Sequence, residues 1–195
     1  MRPLALSLRM AGYRTLNLAY PSLSRPLGHV VDALADEIET RAAGRIHFVT
    51  HSMGGLVLRA LLARRRPAGL GRAVMLGPPN DGSEWVDMLA RMGLDRLLLR
   101  HARDLLSPSR PDGIRRQLGE VDYPLRIIAG DWRFNPLVPR HLLGHPHDGR
   151  VSVAATRLAG AADHIVLGVP HTLMLVSPRV HRQAIAFLEQ GHFIR

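Results

Sequence analysis

Residues 46–55 read I-H-F-V-T-H-S-M-G-G, and the fold follows from how this stretch is read. Ile46, Phe48 and Val49 form a short apolar run of β-formers, which predicts a buried strand. Residues 56–62, L-V-L-R-A-L-L, predict a helix. Ser52 lies between the two, with Thr50 two residues before it and Gly54 two residues after. Small-x-Ser-x-Gly on a sharp strand-to-helix turn is the layout of a nucleophile elbow. Such a turn presses together the residues two away on each side, so both must be small. Glycine is more usual at the first of these positions, where this chain has Thr50. The turn lifts the serine Oγ clear of the backbone. It also puts the Met53 N–H and the positive end of the next helix beside any oxyanion that forms there.

Outward from this turn, the chain alternates strands with helices. Towards the start, residues 1–10 predict an amphipathic helix with Leu4, Leu8 and Ala11 on one side and Gly12 as its stop. Residues 14–19 predict a strand, and residues 20–22 a turn. Residues 28–43 predict a helix with Asp32, Asp36, Glu37 and Glu39 on its solvated side, ended by Gly44. Beyond the elbow, strands are expected at 72–76, 125–129 and 164–169, and a closing helix at 178–190. Residues 130–149 form a loop rich in Pro, Gly and His. Between the first and second of these strands, residues 81–120 are expected to be helical. Trp85, Met88, Leu89 and Met92 recur at i, i+3, i+4 and i+7, and a second apolar stretch follows at 94–106. This region either packs on the sheet as core helices or walls the active site. The alternation predicts an α/β fold: a mostly parallel sheet covered by helices on both faces, as one domain over residues 1–195.

Composition limits the partners. A chain of 195 residues suits one sizeable core, with 46% hydrophobic and 22% charged residues. The net charge is +10, and all 26 basic residues are arginine. They are scattered rather than interleaved with aromatics, so no nucleic-acid groove is expected. The one run, Arg64-Arg65-Arg66, falls at a helix end, where cations suit the helix dipole. With no cysteine there is no disulfide framework and no thiol nucleophile. No run reaches membrane-spanning length and no signal peptide is visible, so the reading is cytoplasmic, with transient membrane-surface contact at most.

The stretch T-H-S-M-G-G between strand and helix resembles the α/β-hydrolase superfamily, within it the small bacterial lipases and esterases. Two more segments carry the resemblance. Residues 76–84, L-G-P-P-N-D-G-S-E, are similar to a segment of small lipases and of GPI-inositol-deacylase-like proteins. Residues 148–153, D-G-R-V-S-V, followed by V-P-H-T at 169–172, resemble their acid and histidine segments.

The resemblance implies a serine hydrolase of carboxylic esters, small-molecule or lipid, that needs no cofactor and no metal. Its triad runs Ser, acid, His along the chain. Ser52 is then the nucleophile, Asp148 the acid, His171 the base, and Met53 the oxyanion donor through its amide. Asp131, directly after the strand at 125–129, stays open as an alternative acid. Asp163 and His164 at the last strand read as flanking residues. His51 reads as a packed neighbour of Ser52. His141, His145 and His147 are near Asp148, but their irregular loop spacing suits a solvated loop better than zinc.

The family pattern also implies a strand and a His-Gly loop ahead of the first helix, the loop giving a second amide to the oxyanion. By that pattern the strand lies between residues 14–19 and the strand at 46–49, and is encoded upstream of Met1. The expected fold is therefore an N-terminally shortened one. The alternative to an enzyme is a catalytically impaired scaffold or binding protein of the same fold.

Overall fold

The computed structural model describes residues 1–21, 25–83, 86, 102–132 and 146–195. Four strands form one sheet: β1 (Ile46–His51), β2 (Leu70–Leu76), β3 (Leu125–Gly130) and β4 (Asp163–Leu167). They lie in the order β1-β2-β3-β4, and every pairing is parallel. The helices are α1 (Arg2–Met10), α2 (Leu27–Arg41), α3 (Gly54–Arg64), α4 (Arg103–Leu106), α5 (Asp112–Leu118) and α6 (Pro178–Gln190). The closing helix has the predicted bounds, started by Ser177, whose Oγ accepts from the Val180 N–H, and stopped by left-handed Gly191.

The sheet sorts its side chains by strand alternation. Ala73, Met75, Leu125 and Ile127 face α2, α3 and α5, meeting Val31, Leu34, Leu56, Leu61 and Leu118. Val74, Leu76 and Ile128 face α1 and α6, meeting Leu4, Leu8, Val180 and Phe187. Both faces are therefore buried, which is why β2 and β3 read as continuous apolar runs. The arginine run at the end of α3 pairs with acidic groups. Arg64 meets Asp32 at 2.7 Å, Arg65 meets Asp36 at 2.6 Å and Glu39 at 2.8 Å, and Arg66 meets Asp122 at 2.5 Å. Asp32, Asp36 and Glu39 all lie on α2, so two of these arginines brace α3 against it. These pairs are exposed, so solvent screening keeps their contribution small.

One predicted element is absent. Residues 14–19 form no strand. The segment is held by side chains instead: the Arg14 guanidinium donates to the Arg41 carbonyl, and Arg9 Nε to Thr15 Oγ1. The physical reason is the lack of a partner. A strand persists through its ladder, and among the described residues no strand lies between this segment and β1. A groove of about 500 Å³ separates them, lined by Leu16, Leu18, Phe48, Val49 and Val57. β1 is thus an edge strand, and its residues are only half-buried. The expected helix at Trp85, Met88, Leu89 and Met92 lies outside the described residues, except that Val86 is buried.

Candidate active site

Ser52 has φ +55° and is the one described residue other than glycine in the left-handed region. A side chain there costs of order 1–3 kcal/mol, a strain found at functional turns. The chain leaves β1 at His51, turns through Ser52 and Met53, and enters α3 at Gly54. The Ser52 N–H bonds the Leu76 carbonyl at 2.9 Å, which fixes the elbow to the end of β2. A Cβ built on Gly54 would lie 3.1 Å from the Tyr20 hydroxyl and 3.6 Å from Thr50 Cβ. One on Gly55 would lie 3.0 Å from Pro78 Cβ and 3.2 Å from Met75 Sδ. Small residues are therefore required at both glycines, and the Thr50 contact accounts for the sequence spacing. The Met53 N–H, at the N-cap of α3, finds no acceptor among the described residues.

The acid and base candidates meet at the same end of the sheet. His171 Nδ1 lies 2.6 Å from Asp148 Oδ2, and both residues are almost fully buried. Asp148 Oδ1 accepts the N–H groups of Arg150 at 2.9 Å and Val151 at 2.8 Å. The turn D-G-R-V, with Gly149 at φ +100°, thus bonds one carboxylate oxygen and leaves the other for His171. The backbones join as well, the His171 N–H donating to the Asp148 carbonyl at 2.9 Å. A carboxylate accepts, so Nδ1 carries a proton. The His171 Nε2 is buried and, among the described residues, has no hydrogen-bond partner, Ser52 Oγ included.

Two glycines make room for the pair. A Cβ at Gly77, φ +52°, would lie 3.0 Å from Asp148 Oδ2 and 3.1 Å from His171 Nδ1. A Cβ at Gly130 would lie 2.7 Å from Asp148 Cβ and 2.4 Å from the Val169 carbonyl. Neither glycine is marked as a site residue by the sequence. Gly77 follows β2 directly, and Gly130 is the last residue of β3.

The other candidates stand elsewhere. Asp131 bonds the Leu167 carbonyl through its backbone N–H and makes no hydrogen bond to His171. Asp163, at the opposite end of the sheet, pairs with Arg126 at 2.6 Å. His164 Nε2 meets Thr156 Oγ1 at 2.8 Å, and burial lowers its pKa. His147 is buried, and its Nδ1 accepts the Gly149 N–H at 3.0 Å. His141 and His145 lie outside the described residues. Sequence reasoning missed Arg110. Its buried guanidinium donates to the carbonyls of Leu105, Pro79 and Asn80, and burial pushes its pKa down to about 10. It clamps the loop that follows Gly77.

No protein-family model and no curated protein sequence matches the chain. Solved structures do. The mature form of the Bacillus licheniformis lipase BlEst2 aligns with a TM-score of 0.69 at 19% identity, over 95% of this chain and 82% of that one. Phospholipase PlaB from Legionella pneumophila aligns with a TM-score of 0.66 at 14% identity, over 97% of this chain and 52% of that one. The pyrethroid hydrolase PytH aligns with a TM-score of 0.60 at 15% identity, over 97% and 92%. The chain thus spans about half the length of the phospholipase and most of the other two. The parallel sheet with helices on both faces, the elbow after β1 and these likenesses agree: the chain has the α/β-hydrolase fold.

Proposed function

We propose that the protein is a serine hydrolase that cleaves carboxylic esters, lipid esters included, through an acyl-enzyme. The observation that carries the reading is the Asp148–His171 pair, buried and bonded at 2.6 Å, at the end of the sheet where Ser52 turns out of β1. Ser52 Oγ attacks the ester carbonyl carbon while His171 Nε2 takes the hydroxyl proton. Asp148 holds Nδ1–H and stabilises the imidazolium. The Met53 N–H and the start of α3 stabilise the oxyanion. The tetrahedral intermediate expels the alcohol, which takes the proton back from His171. Water then repeats the sequence on the acyl-Ser52 ester and releases the acid. The lipase, phospholipase and pyrethroid hydrolase that share the fold support ester cleavage as the reaction class. Residues 81–120 belong with this domain, as core or as a wall of the acyl site.

A second reading, a non-catalytic scaffold of the same fold, draws on one observation: Ser52 Oγ and His171 Nε2 are not bonded. Long contacts of this kind are common in unliganded hydrolases. A fluorophosphonate probe decides between the two. Labelling of Ser52, with p-nitrophenyl ester hydrolysis falling by on the order of 10⁴-fold or more in Ser52→Ala, is the expected result. An unlabelled Ser52 in folded protein supports the scaffold. Near-normal hydrolysis by the alanine variant removes Ser52 from the mechanism.

A further inference from the structure

We propose that His51 is a positioning residue that sets the base against the nucleophile, by tying the elbow to the backbone of His171. This rests on the roles given above to Ser52 and His171. β1 and β4 are the two edges of a four-stranded sheet, with β2 and β3 between them. The nucleophile follows one edge and the base follows the other. Neighbouring strands lie about 4.8 Å apart, so the segment carrying His171 must reach back across roughly 14 Å of strand ends. Something must then fix its position over the elbow.

His51 does this. Its Nε2 lies 2.9 Å from the His171 carbonyl oxygen. A carbonyl only accepts, so His51 carries its proton on Nε2. Among the described residues this is the one hydrogen bond between residues 50–54 and residues 168–175. The two imidazoles also pack, with ring centroids 4.6 Å apart and planes inclined by 46°. His171 is thereby held at three points: its N–H and its Nδ1 by Asp148, and its carbonyl by His51. Asp148 fixes the ring's tautomer and tilt. The His51 bond sets the distance from the ring to residue 52, the next residue in the chain. Burial, the largest cause, holds the His51 pKa down to about 4, so the ring is a neutral donor across the neutral range.

The charged groups near this ring are already engaged or positive. Asp148 is taken by His171, and the Met1 amino group is a further positive charge on this side. The role is therefore geometric, and it should appear in kcat rather than in substrate affinity. A misplacement of about 1 Å costs up to about 10²-fold in rate. His51→Leu keeps the bulk and removes the donor. It should lower kcat for a p-nitrophenyl ester by about 10- to 100-fold and leave KM within about twofold. His51→Gln places an amide N–H close to the position of Nε2 and should restore kcat to within a few-fold of wild type.

A second measurement needs no turnover. ¹⁵N histidine spectra of the wild type should give the Nε2–H tautomer for His51. The downfield Nδ1–H resonance of His171 should move in His51→Leu and stay in place in His51→Gln. An Nδ1–H tautomer at His51 overturns the proposal, as do an unchanged kcat in the leucine variant and an equal loss in both variants. Wild-type protein that fails to react with a fluorophosphonate overturns the role of Ser52 instead, and the tautomer and resonance still decide the His51 contact.

Discussion

Asp148, the proposed acid, and Asp131, its alternative, are hard to tell apart in sequence. Both follow strand β3, both precede the base, and both suit the order of a triad. The difference is where the backbone turns. Residues 148–151 curl so that two amides bind one carboxylate oxygen, and Gly77 and Gly130 leave space for the other to reach His171. Asp148→Asn would present a carboxamide to Nδ1 and favour the wrong imidazole tautomer. It should lower ester turnover by up to about 10⁴-fold, the size known for that change in a serine protease. Asp131→Asn should stay within about tenfold of wild type. Rates of the two variants measured side by side check this, and the reverse ranking would move the acid role to Asp131.

At the scale of the element, β1 leads into Ser52, the proposed nucleophile, and among the described residues one of its edges pairs with no strand. The Ile46 and Ser52 N–H groups both donate towards β2, to Gly69 and Leu76. Alternation then directs the N–H groups of Phe48 and Thr50 towards β2 as well, and those of His47, Val49 and His51 into the groove. Unladdered amides exchange with solvent through small local openings. In the 195-residue chain the His47, Val49 and His51 amides should exchange at least about tenfold faster than those of Phe48 and Thr50, read residue by residue by NMR. Equal protection across the strand would mean that the edge is covered. The same openness explains why residues 14–19, apolar enough to read as a strand, form none. A strand needs a neighbour, and propensity alone does not hold one.

For the whole molecule, half-buried histidines couple stability to pH. His51, His47 and His164 all have lowered pKa values in the folded state, chiefly through burial. The unfolded chain therefore takes up protons first as the pH falls. The contribution of neutral His51 is fully present above the ordinary histidine value, near 6.5, and is lost as the pH drops towards about 4. For His51 alone the loss is about 3 kcal/mol, a sizeable part of a stability of about 5–15 kcal/mol. Chemical denaturation at a series of pH values should show stability falling steadily between about pH 6.5 and 4. His51→Gln should flatten that slope. A slope unchanged by the substitution would place the acid sensitivity elsewhere.

Much of the fold and part of the site were legible in residues 46–55 and in the strand–helix alternation around them. Periodicity is a local property, and so are the small-residue spacing at Thr50, Ser52 and Gly54 and the punctuation by Gly12, Gly44 and Gly191. Each is dictated by sterics within a few residues, which a linear chain displays. The pairing of Asp148 with His171 was not of that kind. It depends on a turn 23 residues before His171, and on two glycines, one just past β2 and one at the last position of β3, that only the packed sheet brings to the same place. The bond from His51 to the His171 carbonyl spans 120 residues and the width of the sheet. No local pattern encodes it, because it follows from the order of strands rather than from the order of residues. For the same reason residues 14–19 misled: their own preference favoured a strand, and the neighbour that decides between strand and coil is a matter of tertiary structure.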